Sequence, residues 1–413
     1  MHRHIVTTGL LIASSILMSG SLRAENAPAG TAWRPGFPEA GLNDAARQFI
    51  ADFKKDAAGL KADNKKLRVL IIGDSLSDGY YHWSHYFRQA LQQAYGDGGI
   101  GNINAKSARN PRDNVAGWLF EQGKDIDMEI AGPWRQSWDS RGDAWPYLGW
   151  NGGLLASDSP EASMTFKVRA ADITVVYSSG TFETWNGAPF ENRAGGFTID
   201  LDGKAEKIAP ATDGQPLDIG LAKFQTTQGL HTLKLSGINS GWLWLAGLLL
   251  ENETPGVVVY NIANGGWWPY NYLWRQPGFE KILQAMNPDY IIYFLSKPDS
   301  GALDRSLADD GKEPEYRRME ERVKKALPNA KSLHMICWDS RSGENFPKSI
   351  EARQRRQAYF DETKAATLNF YDGLDREQMG KLEWFKDNIH LAKAGGEGIG
   401  KAVVALFLPA QEK

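Results

Sequence analysis

The sequence predicts an α/β chain built on a parallel sheet and interrupted by an inserted all-β unit. Three observations carry this expectation. Short apolar runs alternate with helical patterns at both ends of the chain, whereas strict two-residue alternation replaces them in the middle. The 413 residues, 42% hydrophobic and 23% charged, also exceed what one ordinary core needs.

Taken in order, the first 24 residues stand apart. Met1-His2-Arg3-His4 precedes an apolar run from Ile5 to Met18, and Ser21-Leu22-Arg23-Ala24 closes it before Glu25. This is the pattern of a secretory signal, too short to span a bilayer comfortably. Cleavage after Ala24 leaves 389 residues (413 less 24) and places them in the periplasm or outside the cell. No later stretch approaches the roughly 20 apolar residues of a membrane span.

A first α/β segment is expected over 25–96. Leu67-Arg68-Val69-Leu70-Ile71-Ile72 is a buried strand ended by Gly73, and a helix follows from about Trp83 to Tyr95. The insert is expected over 97–255. There Met164, Phe166 and Val168 alternate with Thr165 and Lys167, and Phe197, Ile199 and Leu201 lead into Asp202-Gly203, a hairpin turn whose central residues take positive φ. Trp242 and Trp244 alternate with Leu243 and Leu245 and are assigned to packing. A β-sandwich fits this texture. The α/β pattern returns over 256–413 with strands at 257–260, 290–295 and 333–337, and a last helix carrying Ile399, Val403, Leu406 and Phe407 on one face stops at Pro409.

Composition narrows the chemistry. With 47 basic against 50 acidic residues the charge is −3, which offers nothing to a polyanion, so no nucleic-acid partner is expected. The single cysteine, Cys337, builds neither a disulfide nor a cysteine-based metal site. His82 and His85, three apart on one helix face, lack an evident third ligand, and neither a metal nor another cofactor is expected.

The strand ending at Ile72 runs into Gly73-Asp74-Ser75-Leu76-Ser77-Asp78-Gly79. Ligands gather beyond the carboxyl ends of parallel strands, so Ser75 is a candidate nucleophile there; its structural alternative is a helix N-cap. Asp74 is read as a strut for the loop. A serine hydroxyl needs a base within hydrogen-bond reach and a third group to fix the base's tautomer. Of seven histidines, His2 and His4 leave with the signal, His231 lies in the insert and His334 in an apolar strand. His390 stands just before the last helix, with Asp387 three residues earlier able to accept from its Nδ1. Ser75, His390 and Asp387 together form a candidate triad.

Gly73-Asp74-Ser75-Leu76 near the start and Asp387-Asn388-Ile389-His390-Leu391 near the end resemble the first and last motif blocks of the SGNH, or GDSL, hydrolases. The resemblance implies a flavodoxin-like three-layer α/β/α sandwich and a serine esterase. The stretch Tyr95-Gly96-Asp97-Gly98-Gly99-Ile100-Gly101, the β-rich insert, and the return through Gly256-Val257-Val258-Val259-Tyr260 to Asn264-Gly265 are similar to one branch. That branch contains periplasmic peptidoglycan O-acetylesterases with a carbohydrate-binding-module-like jelly roll between the blocks. In the family, the oxyanion donors are the nucleophile's own N–H, a block-two glycine and a block-three asparagine.

Ser75 and Gly265 match the first two of those donors. At the third position the chain departs: Lys297-Pro298-Asp299 stands where the pattern has Gly-x-Asn. An ionised Asp299 donates no hydrogen bond. Either it is protonated, or Lys297, Ser296 or Asn264 replaces it, or the site hydrolyses poorly. Asn264, Trp267 and Trp268 flank Gly265 and are the candidate substrate contacts. The expected function is removal of O-acetyl groups from an extracytoplasmic polysaccharide, peptidoglycan by resemblance. Transfer of the acyl group to a sugar hydroxyl, or glycan binding on a degenerate scaffold, are the alternatives.

Overall fold

The computed structural model describes residues 32–78, 82–105, 126–136, 150, 154–185, 188–212, 214–267, 269–274, 278–295, 314–338, 347–387 and 390–409. The signal segment 1–24 lies outside them. Among the described residues no helix is long and apolar enough to cross a membrane.

Strands β1 (Lys66–Gly73) and β2 (Asp97–Gly99) come first, separated by the helix Trp83–Tyr95. The β-rich stretch then supplies β3 (Gly101–Asn104), β4 (Ile126–Ala131), β5 (Arg135–Gln136), β6 (Leu155–Ser157) and the long β7 (Ser163–Ser179). It continues with β8 (Thr181–Trp185), β9 (Ala188–Arg193), β10 (Gly196–Leu201), β11 (Lys204–Ile208), β12 (Asp218–Asn239) and β13 (Leu243–Glu251). The chain returns through β14 (Gly256–Asn261), β15 (Tyr290–Phe294), β16 (Lys331–Ile336) and β17 (Ala366–Asn369).

Six strands form a sheet in the order β17-β16-β15-β1-β14-β2, and every pair is parallel. Setting β2 aside, the chain visits the strands in the flavodoxin-like order, with β14 on one side of β1 and the later strands on the other. Side chains alternate along each strand between two cores. Val69, Ile71, Val259, Ile292 and Met335 pack with the helices Asp44–Ala58, Trp83–Tyr95 and Lys393–Phe407. Leu70, Ile72, Val258, Tyr260 and Ile291 pack on the opposite face with the helices Phe279–Met286 and Pro314–Ala326. Helices on both faces explain why these strands read as continuous apolar runs. The expected boundary at 96/97 falls early: Asp97–Gly99 pairs with β14, so β2 is an edge of the parallel sheet.

Nine of the remaining strands join in one antiparallel network around a separate core of Phe166, Val175, Leu235, Leu248 and similar residues, while β8 and β9 pair in a two-stranded sheet of their own. The hairpin at Asp202-Gly203 has φ of 53° and 83°, matching its turn type. β13 is buried along its whole length. A bulge between Leu245 and Gly247 shifts its parity, so Leu243, Leu245, Leu248 and Leu250 enter the antiparallel core while Trp244, Ala246 and Leu249 enter the core under the parallel sheet. Trp244 is thus packing, as expected, and stacks on Trp242 with ring centroids 6.0 Å apart.

A charge network closes the same seam. Glu251 on β13 accepts from Arg68 at 2.7 and 2.9 Å, from Lys66 at 3.0 Å and from the Tyr260 hydroxyl at 2.5 Å, and Lys66 also reaches Asp172 on β7 at 3.2 Å. Where the chain crosses from β2 into β3, Gly101 has φ of +90°, and a Cβ there would lie 2.1 Å from the Val259 carbonyl oxygen. Gly101→Ala should therefore destabilise the protein by about 1–3 kcal/mol through backbone strain alone, with the steric clash adding to it. Differential scanning calorimetry checks this, and an unchanged melting temperature would contradict the tight crossing.

Candidate active site

The loop leaving β1 is held from three sides. Asp74 is buried and its Oδ1 accepts from the Leu76 N–H at 2.9 Å, while its carbonyl accepts from the Ser77 and Asp78 N–H groups at 3.0 Å each. This is the strut expected of it. Asn261, at the end of β14, donates to the Ser77 carbonyl at 2.7 Å, and Trp83 Nε1 donates to Ser77 Oγ at 3.0 Å. The buried Tyr272 hydroxyl lies 2.7 Å from the Gly73 carbonyl and 3.0 Å from that of Ile262, tying the ends of β1 and β14 together. Ser75 is thereby presented at the carboxyl end of β1, beside the point where the strand order reverses.

The histidine arrives on a tight loop before the last helix. Lys386 N–H donates to the His390 carbonyl at 2.9 Å, Ala392 N–H to Trp384 at 2.8 Å, and His390 N–H to Asp387 Oδ1 at 2.8 Å. Asp387 Oδ2 then lies 2.8 Å from His390 Nδ1, and His390 Nε2 lies 2.8 Å from Ser75 Oγ. A carboxylate only accepts, so Nδ1 carries the proton and Nε2 is left to accept from the serine hydroxyl. With side-chain exposures of 36% for His390 and 48% for Asp387, the cluster opens to solvent rather than sealing itself in the core. The three sequence-selected residues, up to 315 positions apart, are brought together.

Gly265 also comes to this place. A methyl built on it would sit 3.8 Å from Ser75 Cβ and 3.8 Å from Asp78 Oδ2. Its N–H donates to Asp78 Oδ2 at 2.9 Å, a partner that sequence reasoning missed. The only signal was an acidic residue three positions past the serine. Gly265→Ala has room to fold, but its methyl would stand in the space beside the nucleophile. We expect an unchanged melting temperature and a loss of Ser75-dependent turnover between about 10- and 100-fold, as for a displaced reacting group. Paired thermal and kinetic measurements check this, and full activity would remove Gly265 from the site.

Asn264 is buried beside Gly265, its N–H 3.3 Å from the Gly73 carbonyl. Trp267 corrects an expectation: it is only 1% exposed and packs edge-on against Tyr272 at 4.9 Å, so its ring belongs to the core and offers no face to a sugar. The apolar layer shared with Tyr272 and Phe279 claims it. Trp268 and the block-three positions Ser296, Lys297 and Asp299 lie outside the described residues. His82 and His85 are both buried. Desolvation pushes His82 down to about 3, helped by the nearby charges of His390 and Lys386, and pushes His85 down to about 2, so both imidazoles are neutral.

A hydroxyl bonded to an imidazole that is itself oriented by a carboxylate can be deprotonated as it attacks an acyl carbon. It sits on a sheet of flavodoxin-like strand order, with the serine after β1 and the histidine before the last helix. Among solved structures, a peptidoglycan O-acetylesterase caught in action at 5 min resembles the chain, with a TM-score of 0.64 over 88% of this chain and 97% of its own, at 16% identity. A family two carbohydrate esterase from Cellvibrio japonicus covers 68% of this chain and 97% of its own at 10% identity. Another from Clostridium thermocellum, in complex with cellohexaose, covers 61% and 93% at 9% identity. Their TM-scores of 0.27 and 0.26 give them no weight for the fold. No protein-family model and no curated protein sequence matches the chain.

Proposed function

We propose that the protein is an exported serine esterase that removes O-acetyl groups from a polysaccharide outside the cytoplasm, with peptidoglycan the favoured polymer. The observation that carries this is the unbroken relay Asp387–His390–Ser75, with both links at 2.8 Å, at the open end of the parallel sheet. As Ser75 Oγ bonds to the acetyl carbon, its proton passes to His390 Nε2, and Asp387 stabilises the imidazolium. Collapse of the tetrahedral species expels the sugar oxygen, which takes that proton. Water then attacks the acetyl-serine by the same base, releasing acetate and restoring Ser75. The Ser75 and Gly265 N–H groups are the oxyanion donors in this scheme, each worth on the order of 3 kcal/mol of barrier.

The choice of polymer is supported by the likeness to the peptidoglycan O-acetylesterase and by the amino-terminal signal pattern. The antiparallel segment between β2 and β14 reads as a jelly-roll-like module of the carbohydrate-binding kind, and carries the recognition surface for the glycan. The test is acetate release from O-acetylated peptidoglycan by the parent and by Ser75→Ala. Release by the parent that vanishes in the variant supports the proposal, and equal release by both defeats it.

A further inference from the structure

We propose that Asp78 makes this site selective for esters whose alcohol carries a second hydroxyl close to the ester oxygen, as a sugar ring does. The inference rests on the acyl-transfer role given to Ser75 above. It begins from a conflict over one donor. Gly265 lies beside Ser75, a Cβ built on it falling 3.8 Å from Ser75 Cβ, yet its N–H is already given to Asp78 Oδ2 at 2.9 Å. Asp78 is itself anchored, its own N–H donating to the Asp74 carbonyl at 3.0 Å, in the same short turn that presents the nucleophile.

An ester carbonyl entering the acyl site needs the Gly265 N–H, because the oxygen gains negative charge as Ser75 attacks. One N–H serves one strong acceptor in good geometry. The carbonyl oxygen therefore has to displace the Asp78 carboxylate. The displaced carboxylate is half-buried, has lost a donor, and stands with its charge beside a developing oxyanion. Both consequences oppose reaction.

A substrate that brings its own hydroxyl relieves both. Its O–H donates to Asp78 Oδ2, replacing the surrendered Gly265 bond and drawing the carboxylate's charge away from the acyl oxygen. An ester of a simple alcohol offers no such donor. Sites that pair with a substrate hydroxyl reject the analogue lacking it far more strongly than they reject a missing methylene. Asp78 makes and breaks no covalent bond here; it is a specificity-determining residue that acts through the Gly265 donor.

The experiment compares kcat/KM for ethylene glycol monoacetate and propyl acetate, near-isosteres that differ by one terminal hydroxyl. Each ratio is divided by that of hydroxide-catalysed hydrolysis to remove leaving-group chemistry. The parent should favour the glycol ester by about tenfold or more. Asp78→Asn should bring the ratio near one, mainly by raising the propyl acetate rate. Rates are referred to sites titrated with a serine-reactive phosphonate, so misfolded protein does not count, and the parent measurement needs no variant. Equal use of both esters by the parent, with turnover abolished by Ser75→Ala, overturns the role of Asp78 and leaves the esterase standing. So does an Asp78→Asn variant that slows both esters alike, the result a mere loop support would give. Turnover that survives Ser75→Ala overturns the esterase itself.

Discussion

Asp387→Asn should lower ester turnover by about four orders of magnitude, the loss expected when a triad histidine is held in the wrong tautomer. The carboxylate of Asp387 receives two hydrogen bonds from one residue, the His390 backbone N–H on Oδ1 and Nδ1 on Oδ2, each at 2.8 Å. An asparagine can keep the first through its carbonyl oxygen and so preserve the loop. Its amide NH₂ then faces Nδ1, which must become the acceptor, and the ring proton moves to Nε2. That nitrogen can no longer take the proton of Ser75 Oγ, now 2.8 Å away. Thermal stability should change little, since the loop stays anchored by Lys386, Ala392 and Trp384 through its backbone. Steady-state kinetics beside a melting curve make the check. A variant within tenfold of the parent would mean that Asp387 does not orient the base.

Glu251→Ala should destabilise the fold by about 3–5 kcal/mol, the range for removing one partner of a buried ion pair. Its carboxylate, 11% exposed, sits between Arg68 and Lys66 and also accepts from Tyr260. Alanine leaves Arg68 without that anion at the junction of β1 with β13, whereas Lys66 retains Asp172. The melting temperature should fall by roughly 5–10 °C. The pH dependence has a definite sign. Burial alone would raise the Glu251 carboxyl, but the Arg68, Tyr260 and Lys66 hydrogen bonds overcome it and hold it at about 2, below its ordinary 4.5. Its contribution to stability is therefore complete above pH 4.5 and is lost as the pH falls towards 2. Acid titration of the melting temperature should show a shallower decline in Glu251→Ala than in the parent across that interval; parallel curves would contradict the assignment.

What the sequence made legible followed local rules. The helix over Trp83–Tyr95, the hairpin at Asp202-Gly203 and the last helix each carry their own periodicity or turn chemistry. The candidate triad was readable because a serine after a buried strand needs a base, and few histidines could serve. Other features depend on contacts that no local pattern encodes. β17 is a four-residue edge strand, Ala366–Asn369, without the apolar run that betrays a central strand. Trp267 follows the candidate-site Gly265 in sequence but lies in the core. The bond between Asp78 and Gly265 joins residues 187 positions apart and becomes visible only once β1 and β14 lie side by side.

The double-faced burial of β13 limits how this molecule can be rebuilt. A strand whose side chains are divided between two cores cannot be excised without stripping a wall from the α/β half. Exchanging the antiparallel unit for another would thus fail if whole strands were swapped. Diversification, natural or engineered, has to proceed through the outward loops and the solvent-facing strands such as β11, leaving the shared partition untouched.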